Sequence, residues 1–332
     1  MNAPVPSQYK ALAWVVGGAG LLQIPLGIFT CVVENIRLEP VPTSATSDHR
    51  RPVYVFGHMA NSLRELDDFI EQGVNAIEAD VTFAPDGTAT KFYHGPGCDY
   101  GRDCEQQTDV PVYLTYLKDT VSAENGRYRN KMLLLYVDIK TANLNGSEDM
   151  YAGGVSLAEN LMSYLWSGVP PSRMVNVLLS IFSTADKEVL KGAMDRLSIS
   201  ENHFDLLEHV GFDVSGNNFL STIASTFEKL GVTRHRWQGD GTNNRFIDIY
   251  PALRMSWVTA RRSLNSSVHD YVDKAYVWTA DHAFTIRRFF RKNIDGIVTN
   301  SPGNALKVLE EDEFSMKYRL ANSLDDPWKR IV

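Results

Sequence analysis

From Val53 onward the chain predicts a parallel (β/α)8, or TIM, barrel, on three observations. Short β-branched runs alternate with helical stretches over about 250 residues, which is the pattern of a parallel sheet covered by helices. No G-x-G-x-x-G follows the first run and no G-x-x-x-x-G-K-[ST] occurs anywhere, so the nucleotide fingerprints of a doubly wound sheet are missing. Ionisable residues stand at the ends of successive runs, where a barrel builds its active site.

Taken in order, the elements begin with an apolar segment. Ala11 to Val33, "ALAWVVGGAGLLQIPLGIFTCVV", carries no charge and only Gln23 and Thr30 as polar residues. Such a length can span a bilayer, and it exceeds the roughly 7–15 residues of a usual signal h-region. Residues 1–33 therefore read as a signal peptide or an uncleaved signal anchor. Either sends the remainder into the secretory pathway, as a secreted protein or one anchored facing the extracellular or lumenal side. Residues 34–52 read as a polar Pro/Ser/Thr linker, and 53–332 as a single catalytic domain.

Strands are expected at 53–58, 76–83, 90–95, 132–140, 175–182, 210–215, 233–238, 275–281 and 295–300. Nine is one too many for the barrel, so one must be a loop or an accessory strand. Between them, "SLRELDDFIEQG" puts Leu63, Leu66, Phe69 and Ile70 on one helical face and stops at Gly73, and "SLAENLMSYLW" makes a second amphipathic helix. The composition, 44% hydrophobic and 22% charged, is that of a folded soluble domain. A net charge of −7 excludes a phosphate-tracking surface, so no nucleic-acid partner is expected.

Chemistry gathers at the strand ends. His58 ends the first run, Glu78 and Asp80 lie on the second, His94 ends the third, and Asp138 and Lys140 end the fourth. Residues two apart on a strand share a face, so each acidic or acid–lysine pair points one way. Three carboxylates without a thiolate form a hard site suited to Mg2+ or Ca2+. Two histidines beside such a cation fit phosphoryl chemistry, one taking a proton or attacking and the other protonating the leaving oxygen, with Lys140 holding phosphate charge. Cys31 falls in the apolar segment, leaving Cys98 and Cys104 as an even pair. Their Gly-rich polar context can bend into the short loop a disulfide requires.

The stretches "GHMANSLRELDDFIEQGVNAIEADVTF", "YHGPGCDYGRDC" and "LLLYVDIKT" closely resemble the sphingomyelinase D, or dermonecrotic phospholipase D, toxins of spiders and ticks. "GFDVSGN", "RWQGDG", "YVWTAD", "GIVTNSP" and "DDPW" continue the likeness in order, over about residues 51 to 330. The resemblance implies a barrel binding one Mg2+ through Glu78, Asp80 and Asp138, with His58 and His94 as the catalytic pair. It implies release of choline from sphingomyelin and lysophosphatidylcholine at a membrane surface by a monomer. A cyclic phosphate forms when the lipid's own hydroxyl attacks phosphorus. It places Lys140 on the phosphate and Asp213, Trp278 and Asn300 on the substrate side, with Tyr276 and Trp278 as aromatic walls for a quaternary ammonium ion.

The resemblance also implies the Cys98–Cys104 disulfide. Tyr100 and Arg245 stand where many members carry a second disulfide, and Phe212 and Ser301 replace a histidine and an aromatic residue. Two competing functions remain: a glycerophosphodiester phosphodiesterase acting on soluble headgroup esters, and a catalytically silent lipid-binding protein. A rim of exposed apolar side chains around the mouth is what the lipid reading requires.

Overall fold

The computed structural model describes residues 48–99, 101–199, 205–243, 253–263 and 271–332. The apolar segment Ala11 to Val33 with its Cys31, most of the expected linker, Tyr100 and Arg245 lie outside them. Among the described residues no helix is long and apolar enough to cross a membrane. Asp48–Val332 forms one compact unit.

Among the described residues there are eleven strands: β1 (Arg51–Gly57), β2 (Ala76–Phe83), β3 (Ala89–Tyr93), β4 (Gln107–Asp109), β5 (Leu134–Lys140), β6 (Asn176–Ile181), β7 (Val210–Val214), β8 (Trp237–Gly241), β9 (Lys274–Trp278), β10 (Gly296–Thr299) and β11 (Tyr318–Leu320). Eight of them run in the order β7-β6-β5-β2-β1-β10-β9-β8, parallel throughout. A parallel bridge between Phe212 and Arg236, with the Phe212 N–H donating to the His235 carbonyl at 2.9 Å, joins β7 to β8 and closes the barrel. The expected (β/α)8 architecture is therefore the observed one.

The surplus strand is β3. It turns back antiparallel on β2 and pairs with β4, outside the barrel. His94 accordingly comes after an accessory strand rather than a barrel strand, a correction to the sequence reading. β1 starts at Arg51, inside the expected linker, because Arg51 pairs with Tyr318 of β11 and its guanidinium donates to Asp295 at 2.8 Å. The run expected at 233–238 is displaced to Trp237–Gly241. Its two glycines look like a turn in sequence, but they are required by close approach. A Cβ on Gly239 would lie 2.5 Å from the Tyr276 ring, and one on Gly241 1.5 Å from the Trp278 carbonyl oxygen.

Strand alternation sorts the side chains into two cores. Val53, Val55, Ile77, Ala79, Leu135, Val137, Val177 and Leu179 point outward and pack under the helices. Tyr54, Phe56, Ala76, Leu134, Tyr136, Leu178, Trp237, Tyr276 and Val298 fill the barrel interior. The inward set fixes the parity of the ionisable residues nearer the strand ends. Ala76 inward puts Glu78 and Asp80 inward, and Leu134 and Tyr136 inward put Asp138 and Lys140 inward. At the other end the C-terminal tail covers the interior, where the Trp237 indole donates to the Pro327 carbonyl at 3.1 Å.

Candidate active site

A cleft of about 670 Å3, counted out to its mouth, opens at the C-terminal ends of the strands, and His58, Glu78, His94, Asp138, Lys140 and Trp278 line it. Oxygen atoms of Glu78, Asp80 and Asp138 all come within 4.8 Å of one another. Asp80 sits at the bottom of the group, where the Asn61 carboxamide grips it. Asn61 Nδ2 donates to Asp80 Oδ2 at 2.7 Å, and the Asp80 N–H donates to Asn61 Oδ1 at 2.8 Å. The Lys140 ammonium lies 2.9 Å from Asp80 Oδ1 and 2.7 Å from Asp138 Oδ2.

These carboxylates fit a hard divalent cation. Asp138 Oδ1 is buried without a hydrogen-bond partner, and Asp80 Oδ1 meets Lys140 only as an ion pair, out of line for a hydrogen bond. Buried anionic oxygens left in this state are costly unless positive charge compensates them. Burial, and then the charge of Asp80, push the Glu78 carboxyl up to about 8. Burial also pushes Asp80 upward, but Lys140 and His94 outweigh it and hold that carboxyl below its ordinary value. Burial works against the Lys140 ammonium, which Asp138 and Asp80 nonetheless hold above its usual range.

His58 is fixed from behind. Its Nδ1 lies 3.1 Å from Asn300 Oδ1 and 3.3 Å from Asp99 Oδ2, and its Nε2 lies 3.8 Å from Glu78 Oε2. Asn300 Nδ2 donates to Asp99 Oδ2 at 3.0 Å and to Asp281 Oδ2 at 3.1 Å, which fixes the amide with Oδ1 toward the histidine. Both neighbours of Nδ1 are thus acceptors. That nitrogen carries the proton, and the lone pair of the neutral ring sits on Nε2. Burial lowers the basicity of the ring, but the bond to Asp99 and the charges of Glu78, Asp99 and Asp80 outweigh it and raise His58 to about 9. His94 faces the same cleft, with Nδ1 3.2 Å from the Gly95 carbonyl oxygen. A disulfide joins Cys98 to Cys104 just beyond it.

Two residues expected on the substrate side lie deeper. Asp213 and Tyr276 are fully buried beneath the cleft, because position 276 is one pleat below Trp278. The Tyr276 and Ser180 hydroxyls each donate to Asp213 Oδ2 at 2.7 Å, and the Gly239 N–H donates to Oδ1 at 3.1 Å. Tyr136, 2.8 Å from Tyr276 between hydroxyls, is the tyrosine that reaches the cleft. Asn300 braces His58, and Trp278 lines the wall, its indole donating to the Ser215 carbonyl at 3.1 Å. Asn61, Asp99, Arg102, Tyr136 and Asp281 escaped the sequence reading. Asp99 and Arg102 were visible only as polar residues between two cysteines.

Fold and site together define a (β/α)8-barrel enzyme with an acid, lysine and histidine mouth suited to phosphodiester chemistry. The profile of the dermonecrotic toxin SPH family matches residues 48–328. A dermonecrotic toxin SPH of the tick Ixodes scapularis is 43% identical over 289 residues, 87% of this chain and 79% of the tick protein. Dermonecrotic toxin LbSicTox-betaIA1a of Loxosceles boneti is 34% identical over 282 residues, covering 84% and 99% of the two chains. Among solved structures, a putative glycerophosphoryl diester phosphodiesterase from Silicibacter pomeroyi superposes with a TM-score of 0.52 at 15% identity, over 82% of this chain and 98% of that one, a likeness of fold. The chain belongs to the dermonecrotic toxin SPH family, a family of phospholipase D enzymes.

Proposed function

We propose that the chain is a secreted, Mg2+-dependent phospholipase D that releases choline from sphingomyelin and lysophosphatidylcholine and leaves a cyclic phosphate. Glu78, Asp80 and Asp138 would hold the single Mg2+, which would supply positive charge to the phosphoryl group. Lys140 turns from Asp80 and Asp138 toward the phosphate. With the cation's charge beside the same carboxylates to offset their pull on His58, its Nε2 would be free to take the proton of the lipid's own hydroxyl as that oxygen bonds to phosphorus. The bond from phosphorus to the choline oxygen breaks, and His94 gives that oxygen its proton. Trp278, with Tyr136 in place of Tyr276, offers aromatic faces to the quaternary ammonium. Ala11 to Val33 acts as the export signal or anchor and Asp48–Val332 as the catalytic unit, working as a monomer.

The observation that carries the lipid substrate, as against a soluble ester, is the rim. Phe182 directly succeeds β6, and Phe219 and Phe284 stand at the starts of the helices that come after β7 and β9, so all three lie at the mouth end. They are 59%, 83% and 68% exposed, and Phe182 also lines the cleft. Exposed aromatic side chains toward one end of the barrel are a cost in water and an anchor at a bilayer interface. Choline release from lysophosphatidylcholine micelles and from glycerophosphocholine at equal phosphate concentration tests the choice. The lipid should be the far better substrate; equal or faster release from the soluble ester would favour the glycerophosphodiesterase reading.

A further inference from the structure

We propose that Arg102 is a positioning residue: from inside the disulfide ring its guanidinium latches the end of β1, and through that latch the Cys98–Cys104 bond sets the orientation of His58. The guanidinium is nearly buried and reaches three separate segments. Nη1 donates to the His58 carbonyl at 2.5 Å and to Asn300 Oδ1 at 2.7 Å. Nη2 donates to the Met59 carbonyl at 3.0 Å and to Glu65 Oε1 at 2.8 Å. Below it lies the Phe69 ring, 5.3 Å from the guanidinium carbon.

The place of attachment gives the latch its effect. Met59 has a φ of 54°, a left-handed conformation unusual for a side chain of its size, and it turns the chain out of β1 directly after His58. The fork takes both carbonyls of that turn together with Asn300 and Glu65, four bonds that one planar cation with five donors can make and an ammonium with three cannot. From the same turn the Met59 N–H donates to Glu78 Oε2 at 2.6 Å, so its position is passed to a carboxylate of the acidic group. Arg102 also selects which atom of the Asn300 amide meets His58. Asp99, the other partner of His58 Nδ1, belongs to the same disulfide ring. Two residues of one disulfide-closed loop thus hold the histidine, Asp99 by its ring and Arg102 by its backbone.

The kinetic part of the test rests on the proposed phosphodiesterase reaction, and a spectroscopic part does not. The proteins are the parent, Arg102→Ala, Arg102→Lys, Cys98→Ser/Cys104→Ser and the Arg102→Ala/Cys98→Ser/Cys104→Ser combination. Each is assayed with lysophosphatidylcholine, and the His58 Nδ1–H resonance of each is followed by 1H–15N NMR. Loss of the latch should lower kcat about 10- to 100-fold with KM changed less than about twofold, the scale for losing a residue that orients another. Arg102→Lys should recover little, and added methylguanidinium should restore part of the kcat of Arg102→Ala. Removing the disulfide should cost a similar factor in the parent and a clearly smaller one in Arg102→Ala, where the Asp99 contact alone is left to loosen. The Nδ1–H resonance should weaken or shift in all four variants. Parental kcat with an unshifted resonance in Arg102→Ala, or losses from the latch and the disulfide that multiply, would overturn the proposal. If Arg102→Ala does not fold, Arg102→Lys decides on the same readouts. If the parent releases no choline, the proposed reaction has failed, and the resonance alone still decides the latch.

Discussion

Asp80 and Asp138 show why the site was legible residue by residue. Each is an acid on an otherwise apolar run, a conflict that a bare strand does not tolerate and a cation resolves. Asp80→Asn keeps the shape and the Asn61 contact and removes one charge, so Mg2+ affinity and turnover should both fall by orders of magnitude, while the thermal unfolding midpoint stays near the parent's. Calorimetric Mg2+ titration checks this; parental affinity would remove Asp80 from the ligand set. Asp213 makes a different prediction. Burial, only partly offset by the Ser180, Tyr276 and Gly239 bonds, pushes its carboxyl up to about 7 from an ordinary 3.8. Between those values the folded chain holds a proton that the unfolded chain has lost. The resulting stability is full below about pH 4 and lost as pH rises through about 7. Asp213→Asn lacks that loss, so in urea unfolding it should gain roughly 1–4 kcal/mol on the parent between pH 5 and pH 8. A constant difference across that range would contradict the shift. Asp99, Arg102 and Asn300 were harder to read because their meaning lies in partners far along the chain, up to the 242 residues between His58 and Asn300.

At the scale of elements, alternation identified seven of the eight barrel strands closely and misjudged β8, where close packing requires glycine and removes the apolar signal. The contrast between two glycines tests this account. Gly241→Ala would drive a Cβ against the Trp278 backbone and should destabilise by more than about 3 kcal/mol or prevent folding. Gly303 begins a helix with nothing within 4 Å of a Cβ, so Gly303→Ala should be neutral or gain up to about 0.5 kcal/mol. Chemical denaturation of both variants checks it; equal effects would mean that glycine in β8 is incidental. The same run pattern showed one strand too many without singling out β3, because local alternation does not record whether a partner runs parallel or antiparallel. The loops after β6, β7 and β9 carry the rim. Replacing Phe182, Phe219 and Phe284 together by serine should abolish sedimentation with sphingomyelin vesicles and leave choline release from a dispersed short-chain lysolipid within about threefold, since the anchoring term is apolar area rather than chemistry.

For the whole molecule, the barrel is what brings residues 58, 78, 80, 138 and 140 together, because parallel strands bring their C-terminal ends to one face, while the antiparallel β3 returns the chain so that His94 lines the same cleft. The interior below is filled by aromatic residues and sealed by the C-terminal tail, leaving the mouth as the cleft's opening. The count of alternating runs and the missing nucleotide fingerprints made this architecture readable. The placement of Tyr276 and Asp213 beneath the cleft was not, because depth along a strand depends on barrel stagger rather than on sequence spacing. The proposed reaction is a metal-assisted transfer within a choline lipid, and 31P NMR of the purified protein with sphingomyelin reads its product. In Mg2+ the lipid resonance should be replaced by that of a cyclic phosphate as choline appears, and EDTA should stop the change until Mg2+ is restored. Undiminished turnover in EDTA, or release of phosphocholine instead of choline, would contradict it.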